Sequence, residues 1–312
     1  MSIAAPSAVV VRHGVPAMGT RFECVVGGDA GAEAFLRAAG EAALAEVLRL
    51  HALWSPFEPG SALSRVNARA AGGPGRVDAE TFDLLAGAAE ISRESGGACD
   101  PTVGPLMRWL GFRGAGSALG GPRPPVGMRH VALDEGAREV RFTLAGIELD
   151  VGAIAKGAAI DAAADVLRDA GVRCALLHGG TSSVLGIGAP PGREAWRVRL
   201  GPGADAPTVL LRDNALAISA PGGRTVERAG GTIGHVVDPR TGEPTARARS
   251  AAVVHARARE ADAWSTALLV SGELRATGST GMVQGNDGRW SRVSTGLARD
   301  SAAFEFSGGD HV

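Results

Sequence analysis

Residues 149–180, LDVGAIAKGAAIDAAADVLRDAGVRCALLHGG, constrain the fold more than any other stretch. Asp150 closes an apolar run and Gly152 allows a tight turn. An alanine-rich run over about 154–170 reads as a helix stopped by Gly171, and RCALLHGG reads as the strand that follows. A helix feeding straight into a strand belongs to a layered packing of helix on sheet. The flanking pattern is one of hairpins. AVVVRHG and TRFECVVGG are two strands joined by a turn, and HVALDEGAREVRF is a hairpin leading into GIELDVG, with Asp150 at a strand end. WRVRL, TVLLRD, ALAISA and SAAVVHA are further strands, and GHVVDPRTGEP is a strand running into a Pro/Gly turn. The expected fold class is therefore α+β (mixed α/β).

Three more helices are expected. Asp29 caps one running to about Leu53, with Phe35, Leu36, Val47, Leu48 and Leu50 on one packed face. Asp78 caps a second, with Phe82, Leu85, Ala88 and Ile91 inward and a stop at Gly96. EADAWSTALLVSG is the third. SPFEPGSALSRVN reads as turn-rich and polar, and CDPTVGPLMRWLGF as a segment punctuated by Pro and Gly. One unit over 1–312 is expected, with 114–127 as the candidate linker between two lobes.

Composition excludes some functions. A net charge of −1 gives no electrostatic basis for nucleic acid as a partner. No apolar run reaches the ~18 residues of a membrane span. The N-terminal stretch lacks a basic, apolar export signature or a lipidation signal, so a cytoplasmic location is expected. Cys24, Cys99 and Cys174 form no CxxC or zinc pattern and read as small core hydrophobes. GxxxxGK[ST], GxSxG and HExxH are absent, and GIGAPPG has a proline where a dinucleotide loop needs its third glycine.

Three constellations remain. Lys156 is the chain's single lysine and falls in the first turn of a helix. A cation there opposes the helix dipole unless an anion docks at the same end, where amides and ammonium together hold a phosphate. The alternative is a solvated surface lysine. Asp262 and Thr266 are four apart in ADAWSTALL, so a helix puts them on one face, with Ser265 adjacent. These are hard oxygen donors suited to Mg²⁺ rather than zinc, or else Asp262 simply stabilises a helix start. His235 in GHVVDPRTG stands at a strand end near a turn, placed to polarise a hydroxyl or to serve structure.

MGTRFE, SPFEPGSALSRVN, CDPTVGPLMRWLGF, LDVGAIAKGAAID, GHVVDPRTGEP and ADAWSTALL occur in the order seen in the ApbE-like FAD:protein FMN transferases, and the resemblance runs from Met18 to Val270. It implies mixed sheets with packed helices and an FAD site in the cleft between two lobes. It implies an Mg²⁺-dependent enzyme that attaches the FMN half of FAD to a Thr or Ser hydroxyl of an acceptor flavoprotein, releasing AMP. The same site can admit water and hydrolyse FAD, and a flavin-binding protein without catalysis is the third reading. By the resemblance, the Mg²⁺ ligands are the carbonyl of Ala153 and the side chains of Asp262 and Thr266, with Ser265 beside them. Asp150, Lys156, Met18, Ala98, Cys99 and Asp100 contact FAD, and His235 and Val236 lie beside flavin and pyrophosphate. Lys156, Asp262 and His235 are the implied catalytic residues. The chain departs from the family pattern at Thr181, Ala158 and the segment ISAPGGRTV.

Overall fold

The computed structural model describes residues 8–113, 121–202, 206–228, 231–293 and 304–305. Half of the candidate linker, 114–120, lies outside the described residues. The strands are β1 (Ala8–Ala17), β2 (Thr20–Asp29), β3 (Gly75–Arg76), β4 (Val131–Asp134), β5 (Glu139–Phe142), β6 (Ala175–Gly179), β7 (Ser183–Ile187), β8 (Trp196–Arg199), β9 (Thr208–Leu211), β10 (Asn214–Ser219), β11 (Thr225–Arg228), β12 (Gly231–Gly234), β13 (Ser250–His255), β14 (Thr280–Gln284), β15 (Trp290–Val293) and β16 (Phe304–Glu305). The helices are α1 (Glu33–Trp54), α2 (Ala62–Arg69), α3 (Ala79–Glu94), α4 (Gly104–Trp109), α5 (Ala155–Asp169) and α6 (Ala258–Ser271). Strands and helices are mixed, as the sequence implied, and none of these helices is long and apolar enough to cross a membrane.

The centre is an eight-stranded sheet in the order β1-β2-β6-β7-β10-β13-β14-β15, each neighbouring pair antiparallel. Its central strands are buried on both faces, and the pleat sorts their side chains between two cores. Ala215 and Ala217 of β10, with Ala251 and Val253 of β13, face the core shared with α1, α5 and α6. Leu216 of β10, with Ala252 and Val254 of β13, faces a second core with Val209 and Leu211 of β9. The small residues on the helical side let α5 and α6 lie close to the sheet.

Local sequence explains several elements. Asp78 accepts from the Thr81 amide at 2.8 Å and starts α3, whose Phe82, Leu85, Ala88 and Ile91 are all buried, and Gly96 follows its end at φ +62°. β1 and β2 are joined by Met18-Gly19, both with positive φ, the twist a two-residue hairpin turn needs. β4 and β5 form the expected hairpin.

Other expectations are corrected. Asp29 ends β2 and makes no side-chain cap, and a single 3₁₀ turn intervenes before α1. The buried stripe of α1 runs through Leu36, Ala39, Gly40, Ala43, Leu44, Val47, Leu50 and Trp54. Phe35 and Leu48 fall off that 3.6-residue phase and are 47% and 41% exposed. SALSRVN is not a turn: Ser61 accepts from the Ser64 amide and opens α2. Residues 147–150 belong to no sheet. Their backbone is satisfied instead by the Asn67 side chain, which bonds both the N–H and the C=O of Leu149, and by the Pro101 carbonyl, which takes the Asp150 amide. In the GHVVDPRTGEP stretch only Gly234 belongs to β12 and a single bridge, Val237 to Pro244, follows, so His235 lies just past β12 rather than within a strand.

Candidate active site

A cavity of about 630 Å³ opens where the β1–β2 turn, the end of α3, the start of α5 and α6 converge. This is within the range of about 300–1,000 Å³ typical of small-molecule sites. Met18, Ala98, Cys99, Asp100, Asp150, Ala153, Lys156, His235, Val236, Asp262 and Thr266 all line it. Residues up to 248 positions apart in the chain thus meet in one place. A separate cleft of about 830 Å³ lies next to it on the far side of Asp100 and Pro239 and holds none of the other candidate residues.

The start of α5 is bound to α6 through one carboxylate. Asp262 is 4% exposed. Its Oδ2 accepts from the Gly157 amide at 2.9 Å, its Oδ1 accepts from the Ser183 hydroxyl at 2.8 Å, and the Lys156 ammonium lies 3.1 and 3.4 Å from the two oxygens. Gly157 can serve because it has no side chain: α5 crosses α6 there at backbone contact. Because the Gly157 amide turns to Asp262, it does not close the helical ladder onto the carbonyl of Ala153 four residues back. Ala153 lines the cavity with Asp262 and Thr266.

Thr266 Oγ1 is 3.0 Å from the Ser219 hydroxyl, which is also 2.8 Å from Ser265 Oγ. Ser265 is 0% exposed and donates to the Asp262 carbonyl at 2.8 Å. It stands behind Thr266, supporting Ser219, and does not reach the cavity. Asp262, Thr266 and Ala153 thus bring a carboxylate, a hydroxyl and a backbone carbonyl to one cavity, hard oxygens of the type that suits Mg²⁺ rather than zinc. Among the described residues, no group of three or more His, Cys, Asp or Glu could form a zinc-type site.

Asp150 closes a local turn by accepting from the Gly152 amide at 2.8 Å and pairs with Arg113 at 2.6 Å. The Arg113 guanidinium lies 5.7 Å from the centre of the Phe57 ring. Both line the cavity, and the sequence pattern had not singled out either. Asp100 is a structural clamp. Its carboxylate accepts from the Thr102 amide and hydroxyl, the Met128 amide and the Ser92 hydroxyl, so its segment faces the cavity through Ala98 and Cys99. Burial pushes the Cys99 thiol up to about 12, which keeps it protonated and unreactive. Cys24 is equally inert in the core, whereas Cys174 is half-buried. The Met18 amide donates to His51 Nδ1 at 3.2 Å, fixing the hairpin tip against α1.

His235 Nδ1 accepts from the Arg224 amide at 3.2 Å, and the Pro221 carbonyl also bonds the ring. Burial holds its pKa below the ordinary histidine value, with the nearby charges of Arg224 and Lys156 acting in the same direction. The ring is therefore neutral at pH 7. Of the departures from the family pattern, Thr181 and residues 218–220, 223 and 224 border the cavity, whereas Ala158 packs against the core outside it.

The sequence profile of the ApbE family matches residues 18–280. An FAD:protein FMN transferase of Rhodobacter capsulatus is 34% identical over 241 residues, covering 72% of this chain and 45% of the relative. One of Salmonella typhimurium is 30% identical over 241 residues, covering 72% of this chain and 68% of the relative. The chain thus spans about half the length of the first and two thirds of the second. The crystal structure of the ApbE protein of Thermotoga maritima superimposes with a TM-score of 0.81 at 26% identity, covering 91% of this chain and 97% of that one.

Proposed function

The chain belongs to the ApbE family, and from that premise we propose that it is an Mg²⁺-dependent FAD:protein FMN transferase. It would attach FMN to a Thr or Ser hydroxyl of an acceptor flavoprotein and release AMP. The observation that carries this reading is the meeting of Lys156, Asp262 and Thr266 at one end of a nucleotide-sized cavity. Simple flavin storage needs no such cation-binding set.

Asp262, Thr266 and the carbonyl of Ala153 would hold Mg²⁺. When bound, the metal supplies positive charge that offsets the anionic diphosphate and the departing AMP. Lys156 adds a second positive charge on the same side. Met18, Ala98, Cys99 and Val236 give apolar walls that exclude water from the ring system, and Asp150 holds Arg113 against Phe57 at the mouth.

In the transfer, the acceptor oxygen bonds to the phosphorus of the FMN half while the bond to the bridging oxygen breaks and AMP leaves. The transfer needs the hydroxyl in line with that bond, so positioning carries much of the rate. The hydroxyl proton needs an acceptor. His235 is neutral and lines the cavity, and its Nδ1 would exchange the Arg224 amide for the substrate hydroxyl.

The test is incubation with FAD and Mg²⁺, with and without an acceptor domain. Flavin that stays on the acceptor in a denaturing gel supports transfer. AMP release that needs no acceptor supports hydrolysis of FAD instead. Tight FAD binding with no AMP in either case overturns both.

A further inference from the structure

We infer that the Lys156 ammonium occupies the cation position of the Asp262 carboxylate and is the group a metal displaces there. This rests on the proposed assignment of Asp262 as a metal ligand. An ionised carboxylate offers about four lone-pair directions. Here all four are taken: Oδ1 by Ser183 and Lys156, Oδ2 by Gly157 and Lys156. A metal can ligate Asp262 only if one of these donors withdraws.

The three donors are not equally able to leave. Ser183 is 0% exposed in the middle of the sheet, and its hydroxyl has Asp262 as its 2.8 Å acceptor. The Gly157 amide is fixed by α5 and by the backbone contact with Ala258. Lys156 alone sits on a flexible four-carbon stem, is 22% exposed on its side chain and lines the cavity. Ser183 and Gly157 are thus positioning groups that hold the carboxylate's orientation through the exchange, and Lys156 is the exchangeable cation. The released ammonium stays in the cavity wall, where the diphosphate of a bound dinucleotide is the anion that can take it up.

The test measures Mg²⁺ binding by calorimetry on the nucleotide-free protein. Lys156→Met and Lys156→Gln should each bind Mg²⁺ at least about tenfold tighter than the parent, within the usual span of couplings between sites. Arg113→Met removes a different cavity cation that does not touch Asp262, and should leave Mg²⁺ affinity close to the parent's. Equal tightening by Arg113→Met reduces the effect to general electrostatics and overturns the exchange. If Asp262→Asn abolishes binding but both lysine variants match or fall below the parent, the metal site stands and the exchange is wrong. If Asp262→Asn binds as the parent does, or no variant binds Mg²⁺, the exchange and the proposed metal ligands fall together.

Discussion

Gly157 lies against the backbone of Ala258 so closely that a Cβ on Gly157 would overlap the Ala258 carbonyl oxygen. This contact lets the Gly157 amide reach Asp262 and brings the Lys156 end of α5 onto α6. The glycine after the lysine is therefore part of the site's architecture.

Gly157→Ala should push α5 from α6. An overpacked contact of this kind costs about 1–3 kcal/mol, readable as a lower denaturant midpoint. FAD binding should weaken as well, because the Asp262 carboxylate loses one of its two fixed donors. A variant with parental stability and parental FAD affinity would show that the helices can separate at no cost.

Asp161→Ala should destabilise the fold. Asp161 is buried on α5 and accepts from the amides of Ala258 and Arg259 at 2.8 and 3.0 Å, capping α6 from another helix. The residue at the α6 N-cap position, Arg257, makes no side-chain cap of its own. Loss of such a cap costs about 1–2 kcal/mol. Burial raises the pKa of Asp161 while those two amides oppose the rise. Asp161→Asn should therefore recover part of the loss, since it keeps one acceptor and no charge. Thermal denaturation of the three proteins decides it.

His235 should give an acid limb to both activity and stability. Its folded pKa is held below the ordinary value of 6.5, first by burial. Between that lowered value and 6.5 the unfolded chain binds more protons than the folded one, so stability rises with pH across this window and is lost as pH falls through it. The apparent stability of His235→Gln should have a flatter dependence there. The proposed transfer should lose kcat/KM over the same acidic range, measured as AMP release against pH.

Thr266→Val should cut the Mg²⁺-dependent rate by about a hundredfold, because an oxygen donor to the proposed metal is replaced by a methyl. Ser219→Ala leaves Thr266 in place but removes the hydroxyl that supports it at 3.0 Å and links it to Ser265, and should cost about tenfold, the lower end for groups that orient ligands. Raising Mg²⁺ should restore part of the Ser219→Ala rate and little of that of Thr266→Val. The reverse order would place the metal elsewhere.

Much of the fold was legible because its signals are local. Asp78 and Gly96 bound α3, Gly171 ends α5, and Met18-Gly19 turns β1 into β2, each through neighbours a few residues away. The phase of α1 was harder to read: an alanine-rich helix offers several apolar stripes, and only packing against α5 and the β1–β2 hairpin selects the one through Leu36 and Val47. α2 has only two turns and as many polar as apolar residues, so its Ser61 cap was hidden among turn formers. Residues 147–150 look like a strand from their apolar content, yet their partners are a side chain and a loop carbonyl from distant segments.

By itself the sequence determined the chemistry: one lysine at a helix start, a carboxylate and a hydroxyl one turn apart on another helix, and the ordered motifs of a family. Composition and spacing suffice for this, because a residue's functional groups and its helical face are local properties. Only the tertiary structure decided that Lys156 rests on Asp262, that Ser183 shares that carboxylate, that Ser265 is turned from the cavity and that Asp161 caps α6. Each depends on α5 meeting α6 at Gly157 over a sheet with small residues. That approach distance is set by packing between segments a hundred residues apart.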